Sequence, residues 1–278
     1  MDDLKEFARK IRQGVIEVVY RQKQGHIGGP LSMADVLAFL YRKELQIDPK
    51  RPDWEERDRF VLSKGHSAIA LYVAMALRGF FEYDELFTFD ELHSRLQAHP
   101  DMTKLPGIDM STGSLGQGLS AAVGMALSAK LQHKDFRVFA MIGDGESQEG
   151  QIWEAARIAQ RYKLDNLIAI LDHNHLQQYG WIGEDIKTRM APENDPAAKW
   201  RAFGFDVQEI NGHDFSRIKQ AFFYANNEKN ERPHMIIANT IKGKGISFME
   251  NQYGWHSNVP SDEQYQQAIQ ELAGVSNE

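Results

Sequence analysis

Leu4, Phe7, Ile11, Val15 and Val18 recur at three- and four-residue steps, so the chain opens on an apolar stripe along one helix face, ending near Gly25. A turn through Gly25-His26-Ile27-Gly28-Gly29-Pro30 leads into a second helix, where Ser32 and Asp35 have the spacing of a capping box with Asp in place of Glu or Gln. A third helix is expected after Ser63-Lys64-Gly65-His66, across the apolar residues 68–77. A fourth should follow the glycine-dense Thr112-Gly113-Ser114-Leu115-Gly116-Gln117-Gly118. From residue 136 the pattern changes: buried strands expected at 136–142, 167–171, 205–210 and 235–240 alternate with helical stretches at 151–163 and from the cap Asp214 to 226. Continuous apolar strands separated by helices predict an α/β fold, a parallel sheet with helices on both faces and ligands at the carboxyl ends of its strands. With no internal repeat and no Pro/Ser-rich linker, residues 1–278 read as a single domain.

Composition narrows the partners. The net charge is −7 and neither sign forms a block of five or six, so no footprint for nucleic acid or an anionic membrane is visible. An anionic ligand must therefore be held by local groups. The longest apolar run, 68–77, is about half of what a membrane-spanning helix needs. The acidic start Met1-Asp2-Asp3 runs straight into an amphipathic pattern, unlike a presequence, which leads us to expect a cytoplasmic protein. Zero cysteines remove disulfides, Fe–S clusters, thiolate zinc sites and a thiol nucleophile.

Gly143-Asp144-Gly145-Glu146-Ser147-Gln148-Glu149-Gly150 lies directly after one expected strand, and Asp172-His173-Asn174-His175-Leu176 directly after the next. Glycines on both sides of Asp144 allow a tight turn and close approach of a ligand. Asp144 and Asn174 are one strand-helix-strand step apart, so both side chains emerge at neighbouring strand ends. A carboxylate and an amide oxygen are hard ligands suited to Mg²⁺ or Ca²⁺, and Mg²⁺ is usually held by one or two protein groups plus substrate phosphates. The pair therefore asks for a diphosphate. The plain alternative is an ordinary Gly-Asp-Gly turn and a strand-end Asn. The segment is neither a dinucleotide fingerprint nor a P-loop, because Gln151 follows Gly150. Strand alternation turns His173 and His175 away from Asn174, which argues against a zinc H-x-H. These two, with His93, His133, His213 and His234, read as solvated or structurally bonded. His26, His66, His99 and His256 instead sit in Gly- or Pro-marked loops, where side chains are positioned rather than packed.

In order along the chain, Gly25-His26-x-Gly28-x-Pro30, Ser63-x-Gly65-His66, His99-Pro100, the segment 112–118, the Asp144/Asn174 pair and Trp255-His256 resemble transketolase, a thiamine diphosphate enzyme family, from about residue 7 to 260. The departures are Asp101 where the family often has Glu, variable residues at Glu146 and Ser147, and Ser257 in place of a frequent Gly. The resemblance implies the thiamine-diphosphate-binding fold, with Asp144, Asn174 and the Leu176 carbonyl holding Mg²⁺, for which Ca²⁺ or Mn²⁺ can substitute. It implies cofactor contacts from His66, Gly113, Leu115, Gly143, Gly145, Glu146, Asn174, Gln178 and His256. The catalytic residues it implies are His26, His66, His99 and His256: His26 and His256 for the donor's C3 hydroxyl proton, His99 for its C1 hydroxyl, and His66 and His256 along the channel. Proton transfer near neutral pH is a task suited to histidine. Glu149 and Glu154 are either interface carboxylates, as the resemblance implies, or acidic residues favoured by a helix N-terminus.

The resemblance further implies a pyrimidine-binding module and a C-terminal domain, which we expect on a partner chain along with the cofactor-activating glutamate and the groups that grip the substrate's anionic tail. The expectation is thus the N-terminal subunit of a split transketolase, an α2β2 assembly moving a two-carbon ketol unit from a ketose to an aldose. Xylulose 5-phosphate, an apulose phosphate and 6-deoxy-6-sulfofructose are all possible donors. Alternatives are the α subunit of a 2-oxo acid dehydrogenase, a piece of a 1-deoxyxylulose-5-phosphate synthase, or a non-catalytic cofactor-binding protein. Ser-x-Gly-His and Trp-His favour transketolase over the first.

Overall fold

The computed structural model describes residues 1–178 and 195–274. Helix α1 (Asp2–Gln22) buries the whole predicted stripe, and Lys23 closes it in a left-handed conformation. The second helix is broken into α2 (Gly28–Ser32), α3 (Ala34–Phe39) and a π turn, Leu40–Glu44. No capping box forms at Ser32 and Asp35, because both side chains are taken by distant partners. Ser32 is the last residue of α2 and donates to Asp172. Asp35 accepts from the Arg12 guanidinium at 2.6 and 3.1 Å, fastening α3 to α1.

Strand β1 (Arg59–Leu62) escaped the sequence reading, since three apolar residues behind a charged run give no periodicity. Its exposed edge is blocked: Asp109 accepts from Phe60 N at 2.8 Å and pairs with Arg57. Helix α4 (Ala68–Arg78) follows the Ser-Lys-Gly-His segment as expected, and α5 (Gln117–Leu131) starts inside the glycine-dense one. Then come β2 (Val138–Gly143), α6 (Gly150–Arg161), β3 (Leu167–His173), α7 (Pro196–Ala202), β4 (Asp206–Asn211), α8 (Phe215–Asn227), β5 (His234–Asn239) and α9 (Asp262–Leu272). Asp214 caps α8 as expected, accepting from Ser216 N and Arg217 N.

The sheet has five parallel strands in the order β1-β2-β3-β5-β4. Successive side chains of a strand point to opposite faces, so each unbroken apolar strand feeds two cores. Phe60, Phe139, Met141, Ile168, Ile170 and Ile236 pack under α1, α3, α4, α8 and α9, whereas Val61, Ala140, Ile142, Leu167, Leu171 and Ile237 pack under α5, α6 and α7. Both faces being covered, the polar residues of the central strands lie at their ends, and apart from His234 at the start of β5 they collect at the carboxyl ends. Helix α5 seats against the end of β1 so closely that a Cβ on Gly118 would lie 2.6 Å from Ser63 Cα. We expect Gly118→Ala to lower stability by about 1–3 kcal/mol through overpacking, measured by urea unfolding; an unchanged midpoint would mean that α5 can slide.

Candidate cofactor and metal site

Four chain segments leave the sheet at its carboxyl edge and enclose a cavity of about 220 Å³. Its lining includes Lys64 and His66 after β1, Gly143 to Glu146 after β2, Asn174, Leu176, Gln177 and Gln178 after β3, and Lys242 and His256 after β5. His26, Gly29, Gly113 and Leu115 complete the wall. Of the residues expected from sequence, only His99 is outside this lining; its ring lies 6.3 Å from that of His26 and its side chain abuts Gly113.

The chain does turn tightly beside Asp144, Ser147 N donating to the Asp144 carbonyl at 3.2 Å, but the turn does not depend on glycine. Gly145 has a right-handed φ of −62°, open to any residue. What the two glycines leave is space, since both line the cavity. The Glu146 carboxylate is spent on structure: it accepts from Ser63 Oγ, from Gly116 N at 2.9 Å and from Gly143 N at 3.1 Å, tying three loops together.

Asp144 is buried. Its Oδ1 accepts from Gly145 N at 3.0 Å, and its Oδ2 has no hydrogen-bond partner among the described residues. Burial first, and then the charge of Asp172, push its carboxyl up to about 6. A buried carboxylate oxygen without a donor is costly, and a cation would relieve it. Nearby, Asn174 Oδ1 accepts from Leu176 N at 3.2 Å, and the Leu176 carbonyl has the Lys242 ammonium 3.5 Å away. Among the described residues no cluster of three or more His, Asp or Glu side chains could hold a metal. The available set is carboxylate, amide oxygen and backbone carbonyl, which fits a hard divalent cation that completes its octahedron with phosphate oxygens and water. Neither His173 nor His175 is among the residues lining the cavity. His173 Nδ1 lies 3.1 Å from Asn239 Oδ1, and His175, turned by a φ of 64°, lies against the His173 ring. His213 proves structural too, bonded to Asp35 at 2.7 Å.

The rings of His26, His66 and His256 lie 5.1–5.2 Å apart, centre to centre. The loops carrying the first and last are stitched by Ile27 N donating to the His256 carbonyl at 3.1 Å. Burial, with Lys242 second, lowers His256 to about 3, and burial, with His99 and Lys242, lowers His26 to about 4. His66 is likewise driven well down by burial and Lys64. Lys242, itself lowered to about 8 by burial, donates to His256 Nδ1 at 3.0 Å. Two ammonium groups and three neutral imidazoles around one cavity make a receptor for an anion.

The sequence reading missed Lys64, Lys242 and Asp172. Lys64 pairs with Asp172, and both are buried. The available signals were a lysine enclosed by Ser63 and Gly65, and an aspartate ending an unbroken apolar strand. Glu149 and Glu154 are exposed, and the Glu149 side chain does not cap α6 although it holds the N-cap position.

Fold and cavity define a class: α/β proteins with a ligand cavity at the carboxyl edge of a parallel sheet. The family described as transketolase, thiamine diphosphate binding domain, matches residues 4–277. The chain belongs to this family. It is 46% identical over 270 residues to the 6-deoxy-6-sulfo-D-fructose transketolase subunit SqwG of Clostridium sp. (strain MSTE9), covering 97% of this chain and 96% of that one. It is 42% identical over 266 residues to one subunit of the apulose-4-phosphate transketolase of Phocaeicola vulgatus, covering 96% and 92%. The crystal structure of transketolase from Campylobacter jejuni superimposes with a TM-score of 0.87 at 34% identity; the match covers 98% of this chain and 43% of that one.

Three histidines held neutral by folding have a consequence for stability. Unfolded, each takes up a proton near the ordinary value of about 6.5; folded, His26 and His256 do so only near 4 and 3. Between these values the unfolded chain binds more protons, so their contribution is fully present above about 6.5 and is lost as pH falls toward 4 and 3. Chemical denaturation of the cofactor-free chain from pH 7.5 to 5 should show stability falling with pH, and His26→Asn/His256→Asn should flatten the slope. An equal slope in this variant would contradict the burial of neutral imidazoles.

Proposed function

We propose that residues 1–278 form the diphosphate-binding, N-terminal subunit of a two-chain transketolase, which moves a two-carbon ketol unit from a ketose to an aldose. One observation carries the reading: this chain matches nearly end to end two relatives named as transketolase subunits, while spanning 43% of the solved transketolase. The partner would be a C-terminal subunit with the pyrimidine-binding module, in an α2β2 assembly to which the exposed Glu149 and Glu154 offer carboxylates for burial. The relatives' names point to ketoses with a sulfonate or phosphate tail. Phosphate esters are retained by membranes, which favours the cytoplasm. Among the described residues no helix is long and apolar enough to cross a membrane.

Asp144, Asn174 and the Leu176 carbonyl would hold Mg²⁺, or Ca²⁺ or Mn²⁺ in its place, against the cofactor diphosphate. His66, Lys64, Lys242, Gly145 and Gln178 would surround that anion, with Gly113 and Leu115 against the rest of the cofactor. Thiamine diphosphate, when bound, supplies the carbanion chemistry that breaks and remakes the C2–C3 bond. The chain's own task is protons. The ammonium of Lys242 donates to His256 Nδ1, so neutral His256 keeps its proton on Nε2 and presents a donor. Burial keeps His26 neutral, the form that accepts a proton from the C3 hydroxyl. His99, which lies beside His26 and Gly113, would bond the C1 hydroxyl.

The purified chain alone should show no ketol transfer and should gain it on mixing with a co-purifying subunit that carries the pyrimidine module. Turnover by the single chain would refute the split assembly, and no turnover by the assembled pair on any sulfonate- or phosphate-tailed ketose would leave a cofactor binder. In the assembled enzyme, His26→Ala and His256→Ala should cut turnover of a natural ketose by about 10²- to 10⁴-fold, the usual range for general acid–base groups. β-Hydroxypyruvate loses CO₂ and needs no C3 hydroxyl deprotonation, so its turnover should suffer far less. Equal losses with both donors would reduce the two histidines to shaping the channel.

A further inference from the structure

Asp172 is absent from the cavity wall, yet it touches the groups that build it. Its carboxylate accepts from Ser32 Oγ at 2.6 Å, from Thr240 Oγ1, from Lys64 Nζ and from Asn174 Nδ2 at 3.3 Å. These donors belong to α2 and to the segments leaving β5, β1 and β3, so one buried charge joins α2 to three of the four segments that enclose the cavity. A buried ion pair is poor evidence of stabilisation, because the desolvation of both charges offsets their attraction. Its use must be sought in what it orients.

An ionised carboxylate has only lone pairs to offer, whereas an amide has a donating and an accepting end. Facing Asp172, Asn174 must present its NH₂; a flipped amide would set oxygen against oxygen. Ser32 reinforces the choice. Its hydroxyl proton goes to Asp172 Oδ2 and the Gly29 carbonyl, leaving a lone pair toward Asn174 Nδ2 at 3.4 Å. The amide oxygen is thereby left on the Leu176 side, where it accepts from Leu176 N. A cation needs that oxygen and is repelled by the NH₂.

We propose that Asp172 is a positioning residue for the metal: a buried carboxylate, anchored by Lys64, that forces Asn174 to offer its amide oxygen. The proposal rests on the metal-site reading given above. Ligand-orienting partners of this kind typically contribute about 10- to 100-fold in metal affinity.

Mn²⁺ binding, followed by electron paramagnetic resonance on the full chain with its co-purified partner and saturating thiamine diphosphate, tests this. The thermal midpoint of each metal-free variant is measured alongside. Asp172→Asn should weaken Mn²⁺ binding by about 10- to 100-fold. The swap Asp172→Asn/Asn174→Asp should recover about tenfold or more of the loss, since a carboxylate at 174 is the same either way round and the new amide can donate to it. A purely structural role for Asp172 predicts a lower midpoint and no such recovery. Ser32→Ala leaves no charge unpaired and should weaken binding by about three- to tenfold even if Asp172→Asn fails to assemble. Affinity within about threefold of wild type in Asp172→Asn, unchanged affinity in Ser32→Ala, or a swap no better than Asp172→Asn would overturn the proposal. Asp144→Ala separates the two readings. If it also binds Mn²⁺ normally, the metal site itself is misplaced; if it loses the ion while Asp172→Asn keeps it, only the role of Asp172 falls.

Discussion

A parallel sheet covered on both faces has nowhere to put polar side chains except at its strand ends, and the rest of this structure depends on that constraint. Strands β2, β3 and β5 are apolar almost throughout, each feeding its alternate positions to one core and the rest to the other. Polarity begins where they stop, at Asp144, Asp172, Asn174, Thr240 and Lys242. Because the strands are parallel, their ends fall together, and residues far apart in sequence meet without any local instruction to do so.

The electrostatics of that edge describe what is to be bound. Asp144 has an oxygen without a donor, while Lys64, Lys242 and three neutral imidazoles surround the same cavity. A cation answers the first and an anion the second; a metal diphosphate answers both at once. Binding also changes what it meets, since an added negative charge raises histidine pKa values that burial has depressed.

Within this arrangement the protein separates holding from reacting. Glu146 braces three loops, the Arg12–Asp35 pair fastens two helices, and Asp172 gathers four segments, all with buried side chains. The histidines stand on the loops so fixed.

Much of this was legible along the chain. Apolar periodicity alone determined α1, the central strands and the parallel sheet, because burial on two faces demands unbroken apolar runs; motif order pointed to the cofactor, and spacing put Asp144 and Asn174 on adjacent strand ends. What sequence could not determine were effects of distance. Strand β1 is too short to carry a period and exists because Asp109, far along the chain, closes its edge. Ser32 and Asp35 have the local spacing of a cap, but Asp172 and Arg12 offer stronger bonds. The glycines around Asp144 leave space for the cavity in a turn that any residue could make, and Lys64, Lys242 and Asp172 acquire their roles only where the sheet brings its ends together. Local pattern fixes elements through burial, whereas the site depends on hydrogen bonds and charges between segments that only the folded sheet makes neighbours.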